Sequence, residues 1–189
     1  MLVGWAMLSD TVRKYRRGLR YIRLFSNVRS TPSYSWSRIG RCAAWSPFPD
    51  NCWVGVTATD TNKAISACYE LQDIEASVKY LSLEPLLGWI LSPEWAEHPT
   101  LSQEIKDAGI NWLIVGAQSK PYKAPDLAWV EEIAKAATQA RIPLFVKDNL
   151  EKACLEVTKK ELGQFSFWEK VSHSSGELVG VQLKQEIPE

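Results

Sequence analysis

The chain has 189 residues, is 46% apolar and carries no net charge, which predicts one globular domain with a sizeable core. No apolar run reaches the ~18 residues that a membrane span requires. The apolar first eight residues are not preceded by a charged segment, which argues against a signal peptide. We therefore expect a cytoplasmic protein that does not enter a membrane.

The charge is unevenly distributed along the chain. Residues 1–41 contain eight Arg and one Lys against one acid, Asp10, whereas residues 42–189 contain 13 basic and 21 acidic residues. We assign residues 1–46 to a basic leader that is poorly ordered or divergent, with a basic helix over Thr11–Leu24. One interpretation is a solvated leader. The other is an arm that binds nucleic acid, with Arg on phosphates and aromatic rings on bases, but no recognised binding module surrounds it.

The four cysteines, Cys42, Cys52, Cys68 and Cys154, are scattered, and no two have the short spacing of a metal site or a redox dithiol. We expect no metal, and we expect Cys68 and Cys154 to be buried thiols in helices. Reduced thiols agree with a cytoplasmic location. His98 and His173 are far apart in sequence and are weak candidates for a ligand or a base.

Residues 47–163 show repeated β-α units. Apolar runs that start near Trp53, Val78, Trp112 and Pro143 have the composition of strands buried on both faces. Helical patterns lie between them, so the strands should be parallel. The intervals of 25, 34 and 31 residues are typical of a (β/α) barrel. We predict an α/β fold in which parallel β-α repeats form a partial TIM-type barrel.

Local sequence features predict where the helices begin and end. Asp60 or Thr61 should cap the first helix, and Pro125 suits the first turn of another, with Asp126 favouring its N-terminal dipole. A further helix is predicted over about Leu150–Leu162. Residues 164–189 form a C-terminal appendage, in which two apolar segments around the turn-like HSSG predict a hairpin or edge strand that covers the barrel.

Polar side chains follow each predicted strand at its carboxyl end, where parallel α/β folds bind ligands. The candidate ligand rim comprises Thr57, Glu84, Gln118, Ser119, Lys147 and Asp148. An acid, hydrogen-bonding groups and a cation would suit a zwitterionic, amino-acid-like small molecule. The alternative is a structural salt bridge between Glu84 and Lys147 that seals the barrel mouth. Neither interpretation is preferred on the sequence.

These strand ends also carry a family resemblance. DNCWVGVT, KYLSLEPLLG, WLIVGAQSKPYKAP and PLFVKDNL, in this order, resemble a phage-associated family of radical S-adenosylmethionine (SAM)-like proteins of largely unknown function. The resemblance covers about residues 47–150. It implies a radical-SAM-like barrel and, in full-length members, a [4Fe–4S] cluster held by three cysteines together with SAM. This sequence has no three-cysteine motif, and Gln118 stands where the family usually has glutamate.

Three hypotheses follow from the sequence. The chain is the C-terminal part of a radical-SAM-like barrel, truncated or frame-shifted, without independent catalysis and without a cofactor of its own. Alternatively, it is a cluster-free module that binds a small molecule at the strand-end rim. In the third hypothesis it is an accessory protein that binds nucleic acid through residues 1–41. We rank them in this order.

Overall fold

The computed structural model describes residues 20–25, 46–90, 100–154, 164–172 and 178–188. Their centre is a five-stranded sheet in the order β1-β2-β3-β4-β7, in which every neighbouring pair is parallel. The five strands are β1 (Arg20–Phe25), β2 (Cys52–Thr57), β3 (Val78–Leu83), β4 (Trp112–Val115) and β7 (Leu144–Val146). The short strands β5 (Gln118–Ser119) and β6 (Tyr122–Lys123) form a separate hairpin after β4.

Helices connect β2 to β3, β3 to β4 and β4 to β7, as parallel pairing requires. They are α1 (Thr61–Gln72), α2 (Leu101–Asp107) and α3 (Leu127–Ala140), and a 3-10 helix covers Asp148–Cys154. Asp60 caps α1 by accepting a hydrogen bond from the backbone N–H of Lys63, which confirms one of the two predicted caps. Asp126 caps α3 in the same way, so this helix begins at Leu127 and Pro125 lies before it.

Alternation along the strands gives the sheet two different faces. The helix face, which packs against α1, α2 and α3, carries Cys52, Val54, Val56, Leu81, Leu83, Leu113, Val115, Leu144 and Val146. The aromatic face carries Trp53, Val78, Tyr80, Trp112, Ile114 and Phe145. Both sets are buried, which explains why the strands read as continuous apolar runs.

The rings of the aromatic face pack edge to face. Trp112 lies at the centre, 5.5 Å from the ring of Trp53 and 6.1 Å from that of Phe145, both nearly perpendicular to it. Tyr80 completes the group at 6.0 Å from Trp112. This geometry brings the positive edge of one ring to the negative face of the next.

The C-terminal segment covers the β7 edge of the sheet. Strands β8 (Trp168–Ser172) and β9 (Leu178–Leu183) form the predicted hairpin. After β9 the chain runs antiparallel to β7, where Val146 N–H donates to the Lys184 carbonyl and Glu186 N–H donates to the Leu144 carbonyl. The Trp112 indole N–H also donates to the Glu186 carbonyl at 2.9 Å. The predicted hairpin is therefore present, and the segment that follows it lies along the β7 edge of the sheet.

Several predictions need correction. The helix predicted over Thr11–Leu24 is wrong at Arg20–Leu24, which belong to strand β1 and pair with β2. The helix predicted from Leu150 is instead the 3-10 helix over Asp148–Cys154, and residues 155–163 lie outside the described residues. Most of the leader, Cys42, His98 and His173 also lie outside them. Within the described ranges, no helix has the length and apolarity to cross a membrane.

Candidate functional site

Glu84 and Lys147 form an ion pair at the carboxyl ends of the parallel strands. The Lys147 ammonium lies 2.8 and 2.7 Å from the two carboxylate oxygens of Glu84. The two side chains are 16% and 17% exposed, so the pair is largely withdrawn from water without being sealed off. Burial removes part of the water around each charge. The contact between the two charges therefore offsets that loss of hydration. The strand ends thus hold one acid and one base in direct contact.

Gly116 makes this contact possible. Glu84 follows β3 and Lys147 follows β7, and these strands are separated in the sheet by β4, which ends just before Gly116. A Cβ at Gly116 would lie 3.0 Å from Glu84 Cγ and 3.1 Å from Lys147 Cδ. Both side chains therefore meet above the bare backbone of Gly116, on the same side of the sheet as the aromatic face. A larger residue there would push them apart.

Two hydroxyl residues lie one step deeper on this face. Thr57 is the last residue of β2 and pairs in register with Ser82 of β3. Both side chains are buried, and by alternation they share the face that carries Tyr80 and Trp53. They form a polar layer between the aromatic rings and the ion pair. Thr57 thus lies at the same edge of the sheet as the strand-end pair.

Asn149 holds the loop after β4. Its side-chain amide accepts a hydrogen bond from Ala117 N–H at 3.0 Å and donates to the Ala117 carbonyl at 2.8 Å. The same amide nitrogen donates to the Ser119 hydroxyl at 3.2 Å. These bonds replace the strand pairing that ends at Val146, and they fix the loop next to Gly116 and Lys147. Asn149 is therefore the residue that orders one wall of the site.

Gln118 and Asp148, two of the predicted rim residues, have other partners. The Gln118 side chain donates to the carbonyl of Pro121 within the β5–β6 hairpin. Asp148 accepts a hydrogen bond from the side chain of Gln185 in the C-terminal segment. The structure thus brings Glu84 and Lys147 together. It places Ser119 in the wall that Asn149 holds, and it directs Gln118 and Asp148 into local contacts.

A second charged group lies at the end of β2. Lys63 of α1 contacts Asp60 at 2.6 Å and the Thr59 hydroxyl at 2.9 Å. Burial raises the pKa of Asp60, but hydrogen bonds from Lys63 and Thr59 outweigh it and lower the pKa overall. The Thr59 carbonyl also accepts bonds from Leu87 and Gly88 N–H. This group anchors the loop after β3 and leaves the Glu84–Lys147 pair as the main charged feature of the strand ends.

The comparison with protein families decides the affiliation of the chain. A family model described as "Protein of unknown function (DUF5131)" matches residues 6–173. The chain belongs to this family. The matched range includes strand β1 and most of the segment interpreted from its composition as a leader. No curated protein and no solved structure matches the chain significantly.

The three described cysteines of this DUF5131 protein do not fit the iron–sulfur cluster that the radical-SAM resemblance implies. Cys52, Cys68 and Cys154 are buried among apolar residues of the helix face, at separate places in the chain. Burial raises the pKa of the Cys68 thiol to about 12, whereas a cluster requires thiolates. In the ranges that the structure covers, no three His, Cys, Asp or Glu side chains come together to hold a metal ion. We therefore derive no chemistry through a cluster.

Two residues of the site were not among the sequence candidates. Gly116 reads in the sequence as the end of a strand, and only its position between Glu84 and Lys147 reveals its importance. Asn149 follows the β7 end by three residues and lies just before the helix predicted from about Leu150. One clue was present for Asn149, since an amide shortly after a strand can take over the hydrogen bonds that the strand leaves open.

Proposed function

We propose that this protein is a radical-SAM-like, barrel-type domain without cluster chemistry that binds a small zwitterionic, amino-acid-like molecule at its strand ends. The observation that carries this proposal is the Glu84–Lys147 pair, held in contact above Gly116 at 16% and 17% exposure. Ligands of parallel α/β folds bind at this edge, because the loops there are free of the packing that the strands impose.

A zwitterion matches both charges at once. In the absence of ligand, each of the two charges neutralises the other. A ligand with an ammonium and a carboxylate can separate the pair and pair with Glu84 and Lys147 individually, so no desolvated charge loses its partner. A simple anion would pair with Lys147 and a simple cation with Glu84. In either case the other charge would remain desolvated without a partner. The site therefore favours amino acids over singly charged compounds.

The neighbouring groups supply hydrogen bonds rather than further charge. The Ser119 hydroxyl and the Asn149 amide line the loop wall, and Thr57 lies beneath. Such groups orient a ligand in a largely apolar site. They contain no nucleophile–base pair that would point to catalysis, and we assign the domain a binding role alone.

The topology supports a barrel-type arrangement. Within the described residues, strand order follows chain order without reversal, and α1, α2 and α3 pack on one face. A doubly wound sheet would reverse its order and carry helices on both faces. In this proposal the segment from Lys184 to Ile187 closes the barrel beside β7 and packs against the aromatic face through Ile187.

The test is calorimetry and thermal melting with S-adenosylmethionine and with methionine. The matched compounds are methioninol, which lacks the carboxylate, and 4-(methylthio)butanoate, which lacks the amine. We expect a rise in melting temperature with at least one zwitterion and none with either matched compound. The double variant Glu84→Gln/Lys147→Met should abolish the rise, because it removes both charges while keeping side-chain size.

The control is Lys135→Ala, which removes an exposed cation from the far side of α3 and should bind like the wild type. Gly116→Ala should also weaken binding, because its Cβ separates Glu84 from Lys147. An unchanged melting temperature with both zwitterions would refute the proposal. So would a double variant that binds as tightly as the wild type.

A further inference from the structure

A small cavity lies between helices α1 and α2, on the opposite face of the sheet from the Glu84–Lys147 pair. Its volume is about 150 Å³. The residues that line it are Cys68, Tyr69, Gln72, Glu104, Asp107 and Ala108. A water molecule occupies about 30 Å³ of liquid, so the cavity holds a group the size of several waters. It is independent of the strand-end site.

Glu104 is buried in this cavity without a counter-charge. The residue is 7% exposed, and its carboxylate has no hydrogen bond or ion pair with any side chain of the described ranges. Its backbone N–H and carbonyl form hydrogen bonds at helix α2, so the carboxylate is the group that can still bind a ligand. Most of Glu104 is packed against its neighbours, while the carboxylate oxygens are open to the cavity. A cation in the cavity can therefore contact them directly.

The other groups that face Glu104 add no positive charge. Asp107, one turn further along α2, brings a second carboxylate into the cavity, and its partner is the neutral side chain of Gln103 at 2.7 Å. From α1, Cys68 presents a thiol that burial keeps protonated, with a pKa of about 12. Burial and then Asp107 raise the pKa of Glu104 itself. The cavity is thus acidic on the α2 side and neutral on the α1 side.

We propose that this cavity binds a primary ammonium group carried on an unbranched alkyl chain. An ammonium has three N–H donors, and the cavity offers three acceptors of suitable kind in the carboxylates of Glu104 and Asp107 and the amide oxygen of Gln72. Tyr69 is 59% exposed beside the cavity, so its ring is available to the alkyl chain or to the cation.

A divalent metal ion suits the cavity less well. Only two carboxylates reach it, and within the described chain no group of three His, Cys, Asp or Glu side chains is disposed to hold a metal. Calcium takes six to eight oxygen ligands and magnesium demands octahedral geometry. An ammonium group needs only hydrogen-bond acceptors and one or two negative charges, which the cavity supplies.

The test is isothermal calorimetry of the full chain with 1,4-diaminobutane, compared with 1,4-butanediol and with KCl at equal ionic strength. We expect binding of the diamine, none of the diol and no comparable heat from KCl. Glu104→Gln should weaken the diamine at least tenfold, and Asp107→Asn should weaken it to a smaller extent. Glu151→Gln, which removes an exposed carboxylate elsewhere, should leave the dissociation constant unchanged.

A second titration separates the two sources of an alkylammonium. Binding of Nα-acetyl-lysine-N-methylamide as tight as that of the diamine would assign the cavity to lysine side chains of a partner protein. Binding of the diamine alone would assign it to free diamines. The proposal is overturned if the diol binds equally well, if Glu104→Gln binds the diamine like the wild type, or if neither amine binds. Because this site shares no residue with the strand-end site, failure of one proposal leaves the other standing.

Discussion

The ring of Tyr80 lies directly against Gly55, on the neighbouring strand. The two residues are paired in register between β2 and β3, and a Cβ at Gly55 would overlap the ring atoms of Tyr80. Glycine in a strand interior often marks such a close approach. Here it lets an aromatic side chain lie flat across the sheet, under the polar layer of Thr57 and Ser82. The aromatic face therefore depends on a residue without a side chain.

Substituting this glycine should destabilise the fold. Gly55→Ala forces Tyr80 away from its place beside Trp112, and overpacking of this kind costs about 1–3 kcal/mol. Urea denaturation measures the loss in the free energy of unfolding. Gly88→Ala is the matched control, because its Cβ would meet no atom closer than 4.0 Å. Equal stability of the two variants would contradict the described packing.

The Glu84–Lys147 pair should show strong energetic coupling. Lys147→Met removes the cation that neutralises Glu84 and should cost about 3–5 kcal/mol, as breaking a buried pair does. Glu84→Gln/Lys147→Met removes both charges and should recover most of this loss. A double-mutant cycle by urea denaturation at low and high salt gives the coupling. If the single variant were as stable as the double variant, the pair would be a solvated contact of little weight.

The covered edge of the sheet should be visible in hydrogen exchange. The Leu144 backbone N–H donates to the Glu186 carboxylate at 2.8 Å. Glu186→Ala removes this acceptor and should lower stability by about 1–2 kcal/mol, as loss of a hydrogen bond to a charged group does. The amide of Leu144 should then exchange faster, whereas Glu151→Ala should leave it unchanged. Undiminished protection of this amide would show that Glu186 does not secure the edge.

Glu104 should make stability depend on pH. Burial, and then Asp107, raise its pKa above the ordinary value of 4.5, so the folded state holds the proton more tightly than the unfolded state. The free energy of unfolding therefore falls as the pH rises from about 4.5 through the folded pKa. Glu104→Gln removes this dependence and should be more stable than the wild type at pH 7.

Urea denaturation of both proteins at pH 4.5 and pH 7 checks this prediction. The stability difference between Glu104→Gln and the wild type should be small at the lower pH and should grow at the higher one. A constant difference across this range would mean that Glu104 titrates alike in the folded and unfolded chain.

The parallel strands could be predicted because their burial on both faces leaves a simple pattern. WVGV, VKYLSL, WLIV and LFV are continuous apolar or near-apolar runs, and all four lie in the sheet. Strand β1 was missed because its arginines interrupt such a run and favour a helix locally. Pairing with β2 overrides that weak local preference. A strand could therefore be predicted where its own composition is typical of a strand. It was missed where pairing with a neighbouring strand determines its conformation.

The charged residues of the candidate site could be predicted from the sequence, but the partners of its side chains could not. Glu84 and Lys147 follow strand ends, so parallel topology alone places them at one edge of the sheet. Gln118 follows β4 in the same manner, but its side chain donates a hydrogen bond to the Pro121 carbonyl within the β5–β6 hairpin. Each strand of this hairpin has only two residues, which is too short for a periodic pattern to appear in the sequence. Glu104 was not predicted as a site residue, because the seven-residue helix α2 is too short for its sequence to show which face is buried.

The indoles of Trp53 and Trp112 lie 5.5 Å apart and nearly at right angles within the aromatic face. Chromophores this close and this rigid exchange excitation, so their near-ultraviolet circular dichroism depends on the spacing of β2 and β4. Both are buried, at 2% and 0% exposure, and thus sheltered from quenchers in solvent. The circular dichroism of these two indoles can therefore report on the assembly of β2, β3 and β4 without an added label.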